Sequence, residues 1–440
     1  MNRNERRELA HWVVKQTLKA GADEVSAYIS NYRQVDCSYR DEKLEELNES
    51  TQNSLSLNIY VDHKYSGHTT NDLRRDALTG FIEEATAMTK FLEPDEFRAL
   101  TDPKFYKGRQ NMDLEKADPA YDSITADKRV KMARQAENAA KNQSDKIITC
   151  TGAYGDSYAE AIRVHSNGFE GESSGTSHYN YAEATMEDKN GGRPSGYYYG
   201  QCRYFEDLPT SQFCGEDAVR RALAKVGQKK LPSGRYDMLI ENRTAGRLLS
   251  SLYSPMTARN ISRKNSFLDG KLGQRVGSEK LTMIDDPFVI RGMGSRLFDG
   301  DGISAQKRVM IDKGIFKAYY IDNYYGRKLD MEPTSGGTSN IIMEYGTKDL
   351  NTMIKGIKKG ILVNSFLGGN SNDTTGDFSY GIVGQYIEDG QLIHGVNEMN
   401  ISGNLIDLWQ QLVDVGKDAN PYSSWRLPTL QFHDVECSGA

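Results

Sequence analysis

The histidines of this 440-residue chain are too scattered to predict a metal site. A hydrolytic zinc helix needs two imidazoles on one face and an adjacent glutamate that takes a proton from the bound water. His63 and His68 come closest, but they flank a predicted turn, five residues apart, without acids at ligand spacing. The cysteines are Cys37, Cys150, Cys202, Cys214 and Cys437. Because their number is odd and no CxxC pair occurs, we expect free thiols.

Three hydroxyl side chains, Ser250, Ser251 and Thr375, are candidate nucleophiles for a hydrolase. A serine or threonine becomes a useful nucleophile when a histidine, a lysine or a terminal amine takes its proton. The sequence contains no nucleophile-elbow motif and pairs none of the three hydroxyls with a recognisable base. A self-sufficient hydrolase with an unrecognised nucleophile therefore stays open as an alternative.

Residues 368–381, GGNSNDTTGDFSYG, form a polar stretch that could contact an extended peptide. Glycines let a second backbone approach closely, and serine, threonine and asparagine side chains supply hydrogen bonds. The length of the stretch and its two aromatic rings favour peptide contact over a simple irregular hairpin connection. The candidate peptide-binding residues are Gly376, Asp377, Phe378, Ser379, Tyr380 and Gly381.

Two tyrosine clusters give a weaker indication of a binding surface. Residues 197–199 are three consecutive tyrosines between glycines, and a second cluster contains Tyr320 and Tyr324. Because neighbouring strand residues face opposite sides, each cluster can place one ring in the core and another on a binding or subunit surface. Core packing is the simpler interpretation for both clusters.

The elements that would position these residues fall into two halves. Residues 1–230 are predicted to form an α+β domain that repeats a helix, four strands and a closing helix. The copies span about 1–92 and 122–228, which indicates an internal duplication. The proline-containing and highly charged residues 92–121 are predicted to connect them.

The second half, residues 231–440, is predicted to be rich in β-structure. A strand at 236–240 and a helix at 245–253 are followed by short strands between glycine and Asp/Asn turns, at 281–284, 307–312, 315–321 and 339–345. Two strands at 382–387 and 392–396 flank an Asp-Gly turn, and a helix is predicted from about Asn404 to Gly416. The expected fold class is α+β, with a barrel- or sandwich-like C-terminal domain.

Charge and hydropathy argue against two classes of protein. The net charge is −6 and the basic segments are short, which disfavours direct nucleic-acid binding. No apolar run approaches the roughly 18 residues of a membrane helix, and residues 1–16 lack the apolar region of a signal peptide. We expect a cytoplasmic protein without a membrane or nucleic-acid partner.

Residues 376–418 closely resemble the C-terminal block of the TldD/PmbA family, which comprises peptidase-associated proteins once called modulators of DNA gyrase. Further segments agree with that family along nearly the whole chain. They are residues 21–25 (GADEV), 43–47 (KLEEL), 66–73 (SGHTTNDL), 263–267 (RKNSF), 284–287 (IDDP) and 333–337 (PTSGG).

The zinc-bearing branch of that family holds its metal on an HExxxH helix. The resemblance aligns Ser250 and Pro255 with the two histidines and Ser251 with the glutamate. Proline has no ligand atom, and a serine hydroxyl is a poor zinc ligand at neutral pH. That branch also uses a cysteine near the C-terminus, but Cys437 lies beyond the matching place and is interpreted as a tail thiol. The chain thus resembles the zinc-less, PmbA/TldE-like branch, with no catalytic residue and no metal or cofactor of its own.

The resemblance implies a non-catalytic subunit of a cytoplasmic metalloprotease. A TldD-like partner would carry the zinc, and unfolded peptides would enter an enclosed channel that this chain helps to form. Strand pairing with the peptide backbone would tolerate many sequences. The alternative is a peptide-binding homo-oligomer without a protease partner, and a homodimer of the isolated chain is also compatible with the resemblance.

Overall fold

Two repeats of helices and strands build one continuous sheet in the N-terminal half. The computed structural model describes residues 1–141, 143–189 and 191–439. The first repeat consists of α1 (Arg3–Lys19), β1 (Glu24–Arg40), β2 (Lys43–Val61), β3 (Lys64–Thr70) and α2 (Arg75–Thr89). The second consists of α3 (Ala126–Lys141), β4 (Ile147–His165), β5 (Glu170–Met186), β6 (Ser195–Cys202) and α4 (Ser211–Leu223). Antiparallel pairing of β1 with β4 joins the repeats in the order β3-β2-β1-β4-β5-β6.

The duplicated pattern is confirmed, but each repeat has three strands rather than the predicted four. The strands predicted in the first copy merge pairwise into β1 and β2, because the polar residues between them continue the ladder. Asn31 Nδ2, for example, donates to Asn53 Oδ1 across the pair at 3.0 Å. Asp62 and His63 have the positive φ angles of a tight turn and lead into β3, which the sequence pattern did not predict.

The four helices pack on one face of the six-stranded sheet. In β1 this face carries Val25, Ala27 and Ile29, which are buried against α1 and α2. At Gly152 and Gly196 the sheet backbone comes so close to α3 and α4 that an added Cβ would lie 2.2 Å from a helix backbone atom. The opposite face, named here the open sheet face, presents mostly polar side chains, small residues and tyrosines.

The C-terminal half contains a closed barrel and a second sheet. Its helices are α5 (Gly246–Tyr253), α6 (Ala258–Ser262), α7 (Asn323–Leu329), α8 (Leu350–Lys355) and α9 (Leu405–Gln410). Its first strands are β7 (Gly234–Ile240), β8 (Met283–Asp286), β9 (Arg308–Asp312), β10 (Ile315–Phe316) and β11 (Asn340–Met343). The later strands are β12 (Lys359–Ser371), β13 (Asp377–Glu388), β14 (Gln391–Asn404), β15 (Leu412–Val415), β16 (Trp425–Arg426) and β17 (Leu430–Ser438).

The barrel strands follow the order β14-β13-β12-β7-β17, and β17 pairs again with β14 to close the ring. β15 extends this sheet along β17, and the second sheet has the order β10-β9-β8-β11-β16. The barrel core contains Trp409, Phe432 and Tyr380, each fully buried. The α+β class and the barrel-like C-terminal half are therefore confirmed.

Two predicted elements of the C-terminal half are wrong in extent. The helix predicted to reach Gly416 ends at Gln410, because Leu412–Val415 instead pair with β17 as strand β15. The strand predicted at 315–321 ends at Phe316. Beyond it, Tyr320 exchanges backbone hydrogen bonds with Met256 and Ala258 in the segment after α5. In both places tertiary pairing overrides the local apolar pattern.

The predicted connection, residues 92–121, packs against both halves of the chain. Asn323 Nδ2 donates to the Ala99 carbonyl at 2.8 Å, and the Thr176 amide donates to the Lys116 carbonyl at 2.9 Å. The segment therefore connects the C-terminal half to strand β5 of the six-stranded sheet. Within the described ranges, no helix has the length and apolar composition to cross a membrane.

Replacing Gly152 by alanine should lower the free energy of unfolding by about 1–3 kcal/mol, because the new methyl group would overlap the Ala133 carbonyl of α3. Gly80→Ala is the matched control, since Gly80 lies in α2 with no atom near its Cβ position. That substitution should raise stability by up to about 1 kcal/mol. Denaturant unfolding of the two variants measures both effects, and equal stabilities would contradict the close helix-sheet contact.

Candidate functional site

Helix α5 carries two of the three positions that the resemblance aligns with zinc ligands. Its apolar face, formed by Leu248, Leu249 and Leu252, is buried in the barrel core. Ser250 is half-buried, and its Oγ donates to the Arg247 carbonyl at 2.8 Å. The Ser250 hydroxyl thus caps a carbonyl of its own helix.

Ser251 connects α5 to the barrel wall. It lies on the buried face of the helix, where its hydroxyl shares a hydrogen bond with Tyr380 Oη of β13. Pro255, the third aligned position, is buried in a 3-10 turn and offers only its carbonyl, which accepts from Ser266 Oγ at 2.6 Å. The structure therefore brings the aligned helix and the predicted peptide-binding stretch together through Ser251 and Tyr380.

Residues 368–381 form the closed end of the hairpin between β12 and β13. The turn is tight, because the Gly376 amide donates to the Asn372 carbonyl at 2.8 Å and Gly376 has a φ of +84°. Before the turn, a bulge at Gly368 and Gly369 shifts the strand register, and both glycines have positive φ. The hairpin connection is therefore the geometry of this stretch, and its contact with a peptide remains a prediction.

The alternation of β13 divides the six candidate peptide-binding residues between two sides of the barrel wall. Phe378 and Tyr380 point into the core with their ring centroids 5.4 Å apart. Asp377 and Ser379 are exposed on the outside. Gly376 is buried near Phe267 and Asn404, and Gly381 packs against the Leu367 carbonyl. A ligand on the outer surface would meet the two polar side chains and not the rings.

A polar clamp fastens the hairpin turn to the segment after α5. The Asp373 carboxylate accepts from Ser254 Oγ and, at 3.2 Å, from Asn260 Nδ2. The Phe267 amide donates to the Asp373 carbonyl at 2.7 Å, and Thr374 bonds to Asn265. These contacts fix the position of the turn relative to α5.

The exposed Asp377 also stabilises the hairpin turn. Its carboxylate accepts from Thr375 Oγ1 at 2.7 Å and from Asn404 Nδ2 at 3.2 Å. These two hydrogen bonds lower the pKa of Asp377 below its ordinary value. The group is therefore an anion at neutral pH and a weak proton acceptor.

Arg247 was missed by the sequence analysis and completes the outer surface of the site. Its Nη2 donates to the Gly369 carbonyl at 3.0 Å, and its guanidinium lies 4.9 Å from the Tyr380 ring centroid. Leu367, 53% exposed, lies beside the bulge. We name Arg247, Ser250, Leu367 and the exposed hairpin end the α5-hairpin surface. In the sequence, the adjacent glycines Gly368 and Gly369 are the one feature that indicates a close contact at this place.

The donor atoms of this site do not fit a zinc ion. Two hydroxyls are engaged in protein hydrogen bonds and the third position is a proline, as described above. In residues 1–141, 143–189 and 191–439, no three His, Cys, Asp or Glu side chains lie together as a possible metal site. Cys437 is a core residue of β17 rather than a tail thiol, and burial raises its pKa to about 12.

A buried polar cluster lies behind α5, around Tyr320. The ring of Tyr320 packs edge-on against Tyr253 of α5 with centroids 5.1 Å apart. Asp285 and Arg308 approach each other to 3.8 Å beside it, and burial followed by the Asp285 charge raises the pKa of Tyr320. Tyr320 is thus a core residue, and the half-buried Tyr324 donates instead to Asp95 at 2.7 Å. The core interpretation therefore holds for Tyr320 but not for Tyr324.

A groove crosses the open sheet face from β3 to β5. Hydroxyl and amide side chains line it, among them Ser30, Asn31 and Ser173, together with Lys116 and Arg203. Burial, with the charges of Arg203 and Arg296, lowers the pKa of Lys116 to about 8. The nearby carboxylates are committed elsewhere: Glu160, which lines the groove, pairs with Arg6, Glu172 with Arg3, and Glu115 with Arg291. Lys116 therefore has no carboxylate partner among the residues that the structure describes.

Lys116 should make stability depend on pH in a defined direction. Its folded pKa of about 8 lies below the value near 10.4 of an unfolded lysine, so the unfolded chain binds more protons between these values. Lys116→Met should be the more stable protein at pH 7, and its advantage over the wild type should shrink by about 2 kcal/mol by pH 10.

Denaturant unfolding of wild type and variant at each pH measures this difference. Lys15→Met, at an exposed position of α1, is the control and should show no such trend. A constant difference for Lys116→Met across the range would contradict the unpaired, buried ammonium.

Comparison with known proteins identifies the family. Residues 233–439 match the model of the PmbA/TldA metallopeptidase C-terminal domain, and residues 119–226 match that of the central domain. The chain is 26% identical to Metalloprotease PmbA of Escherichia coli O157:H7, over 95% of this chain and 93% of that protein. It is also 26% identical to a Metalloprotease PmbA homolog of Haemophilus influenzae, over 99% and 96% of the two chains.

Solved structures agree over the full length. A protein from Bacteroides thetaiotaomicron, described as a candidate modulator of DNA gyrase, has a TM-score of 0.97 and 39% identity, with 100% of both chains covered. TldE from Thermococcus kodakarensis shares the fold, with a TM-score of 0.84 and 23% identity over 98% of this chain and 100% of that chain. The expected resemblance is confirmed, and the chain belongs to the PmbA/TldD metallopeptidase family.

Proposed function

We propose that this chain is the non-catalytic, PmbA/TldE-like subunit of a cytoplasmic protease that acts on unfolded peptides. A TldD-like partner supplies the zinc ion and the catalytic groups, and this chain helps to enclose and hold the peptide. No step of peptide hydrolysis is assigned to its own residues.

The donor set on α5 carries this proposal. Zinc in a hydrolase is held by imidazole, thiolate or carboxylate groups. The aligned positions here are Ser250, Ser251 and Pro255, and both hydroxyls already serve the barrel or the helix. Relatives of this chain are named metalloproteases. A family protein with an unsuitable donor set is best explained as the partner of a chain that retains the ligands.

Two surfaces support a role in holding peptides. On the outside of the barrel, Asn370, Ser379 and Ser402 lie side by side on β12, β13 and β14 as a row of exposed polar residues next to the α5-hairpin surface. The groove on the open sheet face adds hydroxyl and amide groups with few apolar side chains. Such surfaces recognise backbone groups more than particular side chains, which suits substrates of varied sequence.

The alternative of a self-sufficient hydrolase has less support. Among the three candidate nucleophiles, Thr375 alone donates to a carboxylate, Asp377, in the described part of the chain. The lowered pKa of Asp377 makes it a poor base for activating a hydroxyl. A peptide-binding homo-oligomer without a protease partner is the remaining alternative. The protein that copurifies with this chain distinguishes the two.

Native pull-down of the tagged chain should recover a TldD-like protein, and the recovered pair should cleave an unstructured, internally quenched peptide. Cleavage should stop with a chelator and return with added zinc. The chain purified alone should show no cleavage above the blank, because its α5 offers no metal ligands.

Chelator-sensitive cleavage by the pure chain would refute the non-catalytic assignment. Recovery of the chain only with copies of itself, with peptide binding retained, would instead favour the homo-oligomer.

Substituting Ser379 by tyrosine should reduce peptide cleavage by the reconstituted pair at least tenfold, because a large ring would obstruct the exposed polar row. The side chain points away from the core, so folding and assembly should be unaffected. Leu392→Tyr is the matched control, since Leu392 is exposed at the opposite end of the barrel hairpins. If the Ser379 variant cleaved the peptide at the wild-type rate, measured at equal partner occupancy, the result would show that the peptide does not contact this surface.

A further inference from the structure

A cationic cavity lies between the N-terminal sheet and the barrel, away from the α5-hairpin surface. It encloses about 710 Å³ including its mouth and is bounded by the end of α4, the outer edge of β6 and strands β12 and β13. Every charged side chain that lines it is basic: Arg220, Arg221, Lys225 and Arg243. Asn364, Ser365 and Gln385 add neutral hydrogen-bonding groups from the barrel wall.

Two of the four cations are neutralised by carboxylates behind the cavity wall. Arg220 pairs with Asp217, and Arg221 bridges Asp217 and Glu241. The other two cations lack a carboxylate at ion-pair distance within the described residues. Lys225 Nζ donates to the Ser195 carbonyl at 2.7 Å, and Arg243 Nη2 donates to the Tyr199 carbonyl at 3.0 Å.

The cavity is therefore short of negative charge. The Nη1 of Arg243 is buried without a hydrogen-bond partner among the described residues, while its guanidinium lies 3.9 Å from the Tyr198 ring centroid. Burial, and then the charge of Arg221, lowers the pKa values of both Lys225 and Arg243. An anion in the cavity would offset this cost.

The register of β6 adds a free backbone edge to the same cavity. The Met186 amide donates to the Pro194 carbonyl, so residues 194, 196 and 198 face β5 with their backbone groups. The backbone N–H and C=O groups of residues 195, 197 and 199 therefore point away from β5. Lys225 and Arg243 take the outward carbonyls of Ser195 and Tyr199, and the Tyr197 N–H and C=O between them have no partner among the described residues.

We propose that this cavity binds the C-terminal carboxylate of an extended peptide, whose last residues pair with the β6 edge at Tyr197. Lys225 and the Arg243 guanidinium bind the oxyanion, and the Tyr197 N–H and C=O supply the strand pairing. The proposal takes from the proposed function only that peptides are ligands. It is tested by direct binding to the isolated chain, so its outcome does not depend on a protease partner.

Calorimetric titration of the full chain should detect a pentapeptide with a free C-terminus, and the same peptide as its C-terminal amide should bind at least tenfold more weakly. Lys225→Gln and Arg243→Gln should each weaken the free-acid peptide at least tenfold, whereas the exposed Lys15→Gln on α1 should not. Circular dichroism and thermal unfolding establish that each variant is folded.

Inorganic phosphate is the second probe, because a small free oxyanion could use the same cations. Competition by phosphate against the free-acid peptide, with the peptide the tighter ligand, supports the proposal. Phosphate binding that needs Lys225 and Arg243 without any peptide binding would overturn the peptide assignment. Equal affinity for acid and amide peptides would overturn carboxylate recognition.

The backbone contact has its own pair of variants. Tyr197→Pro removes the outward N–H without breaking a ladder bond, since proline is tolerated on an edge strand. Tyr197→Ala keeps that N–H and removes only the ring, which is 54% exposed and stacks on Tyr181. The proline variant should lose at least tenfold in affinity and the alanine variant should bind like wild type. Equal binding by both would exclude pairing at Tyr197.

Discussion

A divalent cation is bound only by donors whose lone pairs are free to point at it, and the hydroxyls of α5 are committed to protein partners. Ser250 donates to the carbonyl one turn earlier, and Ser251 shares a hydrogen bond with the fully buried Tyr380. Turning Ser251 outward would leave a buried phenol unpaired, at a cost of about 1–3 kcal/mol. The same hydrogen bond holds α5 against β13, so the packing of the helix also occupies the Ser251 hydroxyl.

Around that contact the chain keeps a well-defined surface. Asp373 joins the hairpin turn to the segment after α5, and Arg247 reaches from the helix to the bulge at Gly369. The arrangement suits a chain that shapes a binding surface while another chain performs the chemistry, and the basic cavity beside β6 extends such a surface to a second part of the molecule.

Much of the architecture could be predicted from the sequence, because periodicity and turn residues act locally. The repeated units, the barrel-like second half and the hairpin around the Asp-Gly turn are of this kind. The end of α9 could not be predicted, since pairing of Leu412 with Phe432 depends on a strand twenty residues further along.

The sites were harder to predict than the elements. Alternation along β13 puts Phe378 and Tyr380 inside, but the register that decides which residues face outward comes from the neighbouring strands. The cavity cations come from segments around residues 225 and 243, and they lie beside barrel residues beyond 360. No single sequence motif therefore predicts the cavity. Local sequence identified where the aligned positions lie and why serine and proline are unsuitable ligands, whereas the partners of those hydroxyls required the folded chain.

Anomalous diffraction on either side of the zinc absorption edge, from crystals of this chain with the proposed TldD-like partner, tests the central claim most directly. A zinc peak should occur in the partner and none within bonding distance of Ser250 or Ser251. A fully occupied zinc peak coordinated solely by this chain at α5 would contradict the account.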